Sequence, residues 1–159
     1  MLRISVQTES FDLSEEISLL TKDDASIGGV ASFVGLVRDT NTVADKAADV
    51  ASMTLEHYPG MTEKALAKIA EQAIDRWSLQ GVTVIHRIGK LFATDPIVLV
   101  LAASRHRQAS FDACQYIMDI LKTTAPFWKK ESLPDGSFRW VDSRESDSEA
   151  AARWLMNAD

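Results

Sequence analysis

The sequence predicts one α+β domain in which helices pack against a mixed or mostly antiparallel sheet. Two observations support this prediction. Several segments alternate apolar and polar residues, as half-buried strands do, and segments with helical spacing of apolar residues lie between them. The chain has 159 residues, which is enough for one domain with a full core. We find no repeat, linker or low-complexity stretch, so we treat residues 1–159 as a single domain.

The first half of the chain predicts strands on either side of a short helix. Residues 2–8 alternate and predict a half-buried strand. A capping-box pattern at Asp12 predicts the start of a short amphipathic helix. The segment 28–39 (GGVASFVGLVRD) predicts a strand that ends in charged residues. Residues 40–50 have no period and predict an exposed, flexible loop, and an alternating strand follows at about 51–57.

Two segments of the second half give the clearest signals. Residues 66–77 place apolar side chains at helical spacing and predict the clearest amphipathic helix of the chain. Residues 97–103 (IVLVLAA) are continuously apolar and predict a strand that is covered on both faces. The other predicted elements are a strand over 82–88, a helix over 109–124 that ends before Pro126, a strand near 138–142 and a helix opened by Ser146.

The charges of the chain are unevenly distributed. The formal net charge is −6, with 17 basic and 23 acidic residues, which argues against a nucleic-acid partner. Residues 86–130, however, contain seven basic and three acidic residues. A local excess of positive charge inside an acidic protein predicts a compact anion-binding site.

Several classes of protein are excluded by composition. No apolar run approaches the roughly 20 residues of a membrane helix, and the N-terminus has no apolar stretch typical of a signal peptide. The single cysteine excludes an internal disulfide framework and a cysteine-rich metal site. The three histidines have no metal-binding spacing. We therefore expect a cytoplasmic protein without membrane contact, metal or cofactor.

The first candidate site is the junction Ser104-Arg105-His106-Arg107, between the most apolar strand and a helix. Helix N-termini present free N–H groups to anions, and an arginine fork matches phosphate oxygens. The alternative is a charged loop that only solvates the end of a buried strand.

Two lysines form the second candidate site. The apolar seam from Phe111 through Cys114 to Leu121 predicts a buried helix face beside Lys122, and aromatic residues precede Lys129. Partial desolvation would favour a neutral amine that acts as a base or nucleophile. The alternative is that these lysines complement the helix dipole and are solvated. Cys114, within the seam, is expected to be a small core residue.

Five segments together resemble the large, catalytic subunit of bacterial molybdopterin synthase. They are GLVRD at 35–39, LEHYPGM at 55–61, SRHRQASF at 104–111, LKTTAPFWKKE at 121–131 and RESD at 144–147. The resemblance covers nearly the whole chain and departs from the family pattern at Ser110, where the family has alanine. It implies the fold of that large subunit.

The resemblance implies sulfur transfer in the biosynthesis of the molybdenum cofactor. In that family a small ubiquitin-like subunit carries a thiocarboxylate on its C-terminal Gly-Gly and inserts this tail into the large subunit. The sulfur passes to cyclic pyranopterin monophosphate, and two transfers build the dithiolene of molybdopterin. The family forms a homodimer within a heterotetramer, so we expect each active site to take Arg38 or Arg144 from the other copy.

The resemblance also implies the site residues. The catalytic residues would be Lys122 and Lys129. Lys122 would stabilise or protonate the oxygen displaced from the pterin side chain, or take up the acyl carbon. Lys129 would hold the phosphate or shuttle a proton. The implied substrate-binding residues are Leu36, Val37, Arg38, His106, Arg107, Lys122, Lys129, Lys130, Glu131 and Arg144.

Two other functions compete with this one. The chain could be a non-catalytic docking module for a ubiquitin-like partner, with lysines that only neutralise the partner's tail. It could also be a phosphoryl-transfer enzyme that uses Arg105, His106 and Arg107. The second alternative ranks lower, because the sequence has no Gly-rich phosphate loop and no carboxylate pair for Mg²⁺.

Overall fold

The computed structural model describes residues 1–43, 46–141 and 145–156. The helices within these ranges are α1 (Leu13–Thr21), α2 (Met61–Trp77), α3 (Arg107–Thr124) and α4 (Glu145–Met156). The strands are β1 (Leu2–Gln7), β2 (Gly29–Leu36), β3 (Thr40–Val43), β4 (Lys46–Asp49), β5 (Ser52–His57), β6 (Gly81–Arg87), β7 (Gly89–Leu91), β8 (Pro96–Ser104), β9 (Phe127–Ser132) and β10 (Phe138–Val141). The predicted α+β class is confirmed.

The first sheet is mixed and has the strand order β1-β6-β8-β2. Strands β1 and β6 are parallel, whereas β8 is antiparallel to both β6 and β2. Residues of β8 alternate between two cores: Val100 packs in the core shared with α2 and α3, whereas Leu101 packs beside Leu20 of α1. The prediction that the apolar run is covered on both faces is therefore confirmed.

The second sheet is antiparallel and has the order β10-β9-β5-β7. Leu55 of β5 and Leu91 of β7 pack against Val37, which follows β2, and this small core joins the two sheets. Strands β7 and β9 were not predicted. In β9 the residues after Pro126 read FWKKES, so no regular apolar alternation marks the strand.

The segment 40–50 differs from the prediction of a loop without regular structure. Strands β3 and β4 pair in antiparallel fashion there, from Thr40 opposite Asp49 to Val43 opposite Lys46. The sequence TNTVADKAAD has no regular alternation of apolar and polar residues, so periodicity could not reveal these strands. The flexibility of the segment remains a prediction.

Helix α3 begins at Arg107, two residues earlier than predicted. Its buried seam is shorter than the predicted one. Cys114, Met118 and Leu121 are buried as expected, but Phe111 is 59% exposed, and its assignment to the seam was wrong. The cause is that β2 is the edge strand of its sheet, so no further strand covers the first turns of the helix on that side.

Helix α4 begins at Glu145, one residue before the predicted start, and is fixed to α3 by polar and aromatic contacts. The indole Nε1 of Trp154 donates to Oδ2 of Asp119 at 2.8 Å, and Arg153 donates to the same oxygen at 2.6 Å. The Trp154 ring also meets Trp77 and Tyr116 edge-on, with centroids 5.8 and 5.6 Å away. These contacts hold the last turns of α4 against α3.

Candidate active site

A cavity of about 660 Å³ lies where the end of β2, the last turns of α3 and the inner face of β9 meet. Its apolar walls include Val34 of the first sheet, Met53 of the second sheet and Met118 of α3. Its charged and imidazole groups are Arg38, His86, Lys122, Lys129, Glu131 and Asp147. The volume is that of a small-molecule site.

Lys122 reaches the cavity from the last turn of α3. Its Nζ lies 3.5 Å from Oδ1 of Asp147 in α4, and its side chain is 47% exposed. This side chain is therefore about half buried, and its action as a base or nucleophile stays a prediction. Helix α4 supplies a carboxylate beside the amine.

Strand β9 presents alternate residues to the cavity. Phe127, Lys129 and Glu131 all line it, because every second side chain of a strand lies on the same face. Glu131 is fully buried, and its Oε2 accepts from Nε of Arg139, the residue opposite it on β10, at 2.7 Å. A buried carboxylate requires such a partner, so this pair fixes the position of β9 and of Lys129.

The segment Leu36-Val37-Arg38, which starts at the last residue of β2, forms part of the cavity wall. Hydrogen bonds from the Val37 N–H to the Asp95 carbonyl at 2.9 Å and from the Thr94 N–H to the Val37 carbonyl at 2.8 Å hold this segment. Arg38 lines the cavity of its own chain, together with Lys122. Whether a second copy also supplies Arg38 or Arg144 to this cavity stays a prediction.

His106 and Arg107 lie at the opposite end of α3 from Lys122. Arg107 and Lys122 are the first and sixteenth residues of the helix, which separates them by about 22 Å along its axis. The junction itself is well fixed: Ser110 Oγ donates to the Gly29 carbonyl at 3.2 Å and is 2.8 Å from Ser104 Oγ. One chain therefore does not bring these two residues to the cavity.

Two further predicted residues are not part of the described cavity. Lys130 lies on the outer face of the second sheet, with its Nζ 5.4 Å from the Phe138 ring centroid and 5.8 Å from that of Trp140. Arg144 lies outside the described residues. Their predicted roles in substrate binding remain predictions.

The structure adds two residues that sequence reasoning did not assign to the site, His86 and Asp147. His86 lies in a strand with no metal-binding spacing, and only its position in the folded sheet brings it to the cavity. Asp147 belongs to the RESD segment, in which the resemblance implies a role for Arg144 only. In neither case does residue spacing give a signal.

Within the described ranges, no group of three or more His, Cys, Asp or Glu side chains is placed to hold a metal ion. The helices of the described part of the chain include none that is long and apolar enough to cross a membrane.

Comparisons with known proteins place the chain in a family. The model of the MoaE protein family matches residues 6–124. A molybdopterin synthase catalytic subunit from Ralstonia nicotianae is 54% identical over 159 residues, which is 100% of this chain and 88% of the relative.

Solved structures show the same similarity. A molybdopterin biosynthesis MoaE protein from Burkholderia ambifaria superposes with a TM-score of 0.81 and 49% identity, covering 98% of this chain and 99% of that one. The molybdopterin synthase structure from Staphylococcus aureus superposes with a TM-score of 0.76 and 28% identity, covering 86% and 95%. The chain therefore belongs to the MoaE protein family.

Proposed function

We propose that this chain is the catalytic subunit of a molybdopterin synthase, a sulfurtransferase. It transfers sulfur from the C-terminal thiocarboxylate of a small ubiquitin-like subunit to cyclic pyranopterin monophosphate, forming the dithiolene of molybdopterin. The observation that carries the proposal is the convergence of Arg38, Lys122 and Lys129 on one cavity in a chain of the MoaE family. The protein acts in the cytoplasm.

The charges of the cavity suit this reaction. The pterin substrate carries a cyclic phosphate, and the donor tail ends in a thiocarboxylate, so two anions must approach one another. Fixed cations that surround the reacting groups offset this repulsion, and they do so more strongly in a site that excludes water than in bulk solution. Arg38 lies in the chain segment that is held by backbone hydrogen bonds, and Lys129 lies on the strand that is fixed by Glu131.

Lys122 and Lys129 are the catalytic residues in this proposal. They approach the cavity from different elements, α3 and β9, and so can contact opposite sides of a bound substrate. One amine would act at the oxygen displaced from the pterin side chain or at the acyl carbon, and the other at the phosphate or as a proton carrier. The enzyme needs no thiol of its own, because the partner delivers the sulfur.

The position of His106 and Arg107 supports an active dimer. Strand β2 is an edge strand, and Phe33 of β2 and Phe111 of α3 are exposed beside it. Helix α3 runs along β2, with Gly29 near Arg107 at one end and Leu36 near Lys122 at the other. If two copies pair along β2 about a twofold axis, the His106-Arg107 end of one copy faces the cavity of the other.

The proposal is tested by mixing the chain with a thiocarboxylated small subunit and cyclic pyranopterin monophosphate and by measuring the pterin product by mass spectrometry. We expect a mass increase that corresponds to the dithiolene. Lys122→Ala should retain binding of the small subunit and lose this product. Lys64→Ala, which removes an exposed lysine of α2, is the matched control. An unchanged yield with Lys122→Ala would instead favour the non-catalytic docking module.

A further inference from the structure

His86 is a buried polar residue in the wall of the cavity. It lies in β6, an inner strand of the first sheet, and only 4% of it is exposed. It nevertheless lines the same cavity as Lys122 and Lys129. The sulfur-transfer mechanism described above gives it no role.

The hydrogen bonding of His86 fixes which ring nitrogen carries the proton. Nδ1 lies 2.8 Å from the carbonyl oxygen of Arg87. A carbonyl oxygen can only accept, so Nδ1 must be the donor, and the neutral ring presents a lone pair at Nε2. Among the described residues, none makes a hydrogen bond to Nε2. The imidazole lines the cavity, so a ligand that donates a hydrogen bond can reach this acceptor.

The surroundings of His86 keep the ring neutral and in place. Burial lowers the pKa of His86 to about 4, and the nearby charges of Lys129 and His57 act in the same direction. The Phe127 ring stacks on the imidazole with centroids 3.8 Å apart and planes 20° apart. The ring is therefore an acceptor of fixed orientation at neutral pH.

The other charged groups of the cavity do not offer an equivalent acceptor. Arg38, Lys122 and Lys129 are donors. The carboxylate of Glu131 is bound by Arg139, and that of Asp147 lies beside Lys122. If a ligand combines an anionic group with a heterocycle, its anionic group can bind to these three cations. Its ring N–H groups need acceptors, and His86 supplies one that adds no negative charge next to the anion.

We infer that His86 is a substrate-binding residue whose Nε2 accepts a hydrogen bond from a ring N–H of the pterin substrate. This inference rests on the proposed function and extends it, because it gives the heterocycle a contact separate from those of the phosphate. It predicts that His86 affects pterin binding and leaves docking of the small subunit unchanged.

The test compares His86→Phe with His86→Gln. Phenylalanine keeps an aromatic ring against Phe127 but has no acceptor, whereas glutamine places an amide oxygen near the position of Nε2. We expect His86→Phe to weaken pterin binding and raise its KM at least about tenfold, the usual scale for an unpaired buried hydrogen-bonding group. We expect His86→Gln to recover most of this loss. The affinity for the small subunit, measured by titration calorimetry, should not change.

The control is Thr83→Val, which removes another buried polar group from the same strand that does not line the cavity. It should bind pterin as the unmodified chain does. Equal pterin affinity for His86→Phe and the unmodified chain would overturn the inference. If thermal unfolding shows that His86→Phe does not fold, His86→Gln is compared with His86→Asn, whose amide lies near Nδ1. Equal binding by these two variants would also overturn it.

A wrong proposed function would give a different experimental result from a wrong inference about His86. In that case the unmodified chain would form no dithiolene product with the small subunit and the pterin. If only the inference is wrong, the unmodified chain still turns over, and its turnover does not change when His86 is replaced.

Discussion

The carboxylate of Asp147 lies 3.5 Å from the ammonium nitrogen of Lys122. Helix α4 thus places a negative charge where the anionic tail of the donor would approach. The contacts of Trp154 and Arg153 with Asp119 keep this helix against α3. A donor tail that reaches Lys122 must therefore compete with a carboxylate of the chain itself.

Asp147→Asn is expected to tighten binding of the small subunit, because it removes this competitor. The pair is partly exposed, and such pairs contribute roughly 0.2–1 kcal/mol, so the gain should not exceed about fivefold and should shrink at high salt. Calorimetric titration at two ionic strengths measures it. Glu149→Gln, on the exposed side of α4, is the control. Weaker binding by Asp147→Asn would show that the carboxylate orients Lys122 instead.

Lys122→Ala and Arg107→Ala should each be inactive alone but should partly restore activity when the two variants are co-expressed. A mixed dimer contains one intact site and one site that lacks both residues, so isolated mixed dimers should have about half of full activity. Turnover of the co-purified mixed dimers, isolated with two different tags, measures this. If both residues served the same chain's cavity, mixing would restore nothing.

The stability of the fold should decrease in acid partly because of His86. Its pKa is about 4 in the folded chain and about 6.5 when unfolded. Below pH 6.5 the unfolded chain binds a proton that the folded chain does not. This contribution is therefore complete above pH 6.5 and is lost as the pH falls towards 4, with an upper limit of about 3 kcal/mol.

Urea unfolding at pH 7 and pH 4.5 measures this effect. Other groups also titrate in this range, so the relevant quantity is the difference between the unmodified chain and His86→Phe. The free energy of unfolding of the variant should fall less between the two pH values. Equal falls would mean that His86 does not contribute.

Cys114 should be unreactive and dispensable for turnover. Burial raises the pKa of its thiol to about 11, so almost no thiolate is present at pH 8, and the thiolate is the reactive form. Labelling with iodoacetamide, followed by mass spectrometry, should be far slower than for a free thiol and should accelerate in denaturant. Cys114→Ala should keep full turnover. A loss of turnover in a folded variant would assign the thiol a chemical role.

Gly28→Ala should destabilise the junction that carries His106 and Arg107. A Cβ at position 28 would lie 2.1 Å from the carbonyl oxygen of Arg105, a backbone atom, so the chain would have to move. A cost above about 1 kcal/mol is expected. At Gly29 the nearest atom would be 4.0 Å away, and Gly29→Ala is the control. Thermal unfolding of both variants separates a local clash from a general effect of losing glycine.

The sequence predicted the elements whose apolar pattern is produced by a core. Residues 97–103 and 66–77 are examples, because their burial on one or both sides requires that pattern. Strand β9 was not predicted, because its inner face carries the charged residues Lys129 and Glu131. The burial of Glu131 depends on its pairing with Arg139. Phe111 was misassigned because helical spacing does not show where a sheet ends.

The site was predictable only in part. The resemblance located Arg38, Lys122 and Lys129, which share the cavity. It also assigned His106 and Arg107 to this site, although the predicted helix over 109–124 already separates them from Lys122, and the structure confirms that separation. The proposed role of His86 in substrate binding depends on the orientation of its ring and on which ring nitrogen is already hydrogen-bonded. Only the folded structure shows these two features.

The length of α3 has a consequence for how such a protein would behave at low concentration. Two groups that contact the same substrate but lie about 22 Å apart along one helix can meet only when two copies of the chain associate. Dilution should then abolish catalysis while each polypeptide remains fully folded, and specific activity should rise with enzyme concentration until pairing is complete.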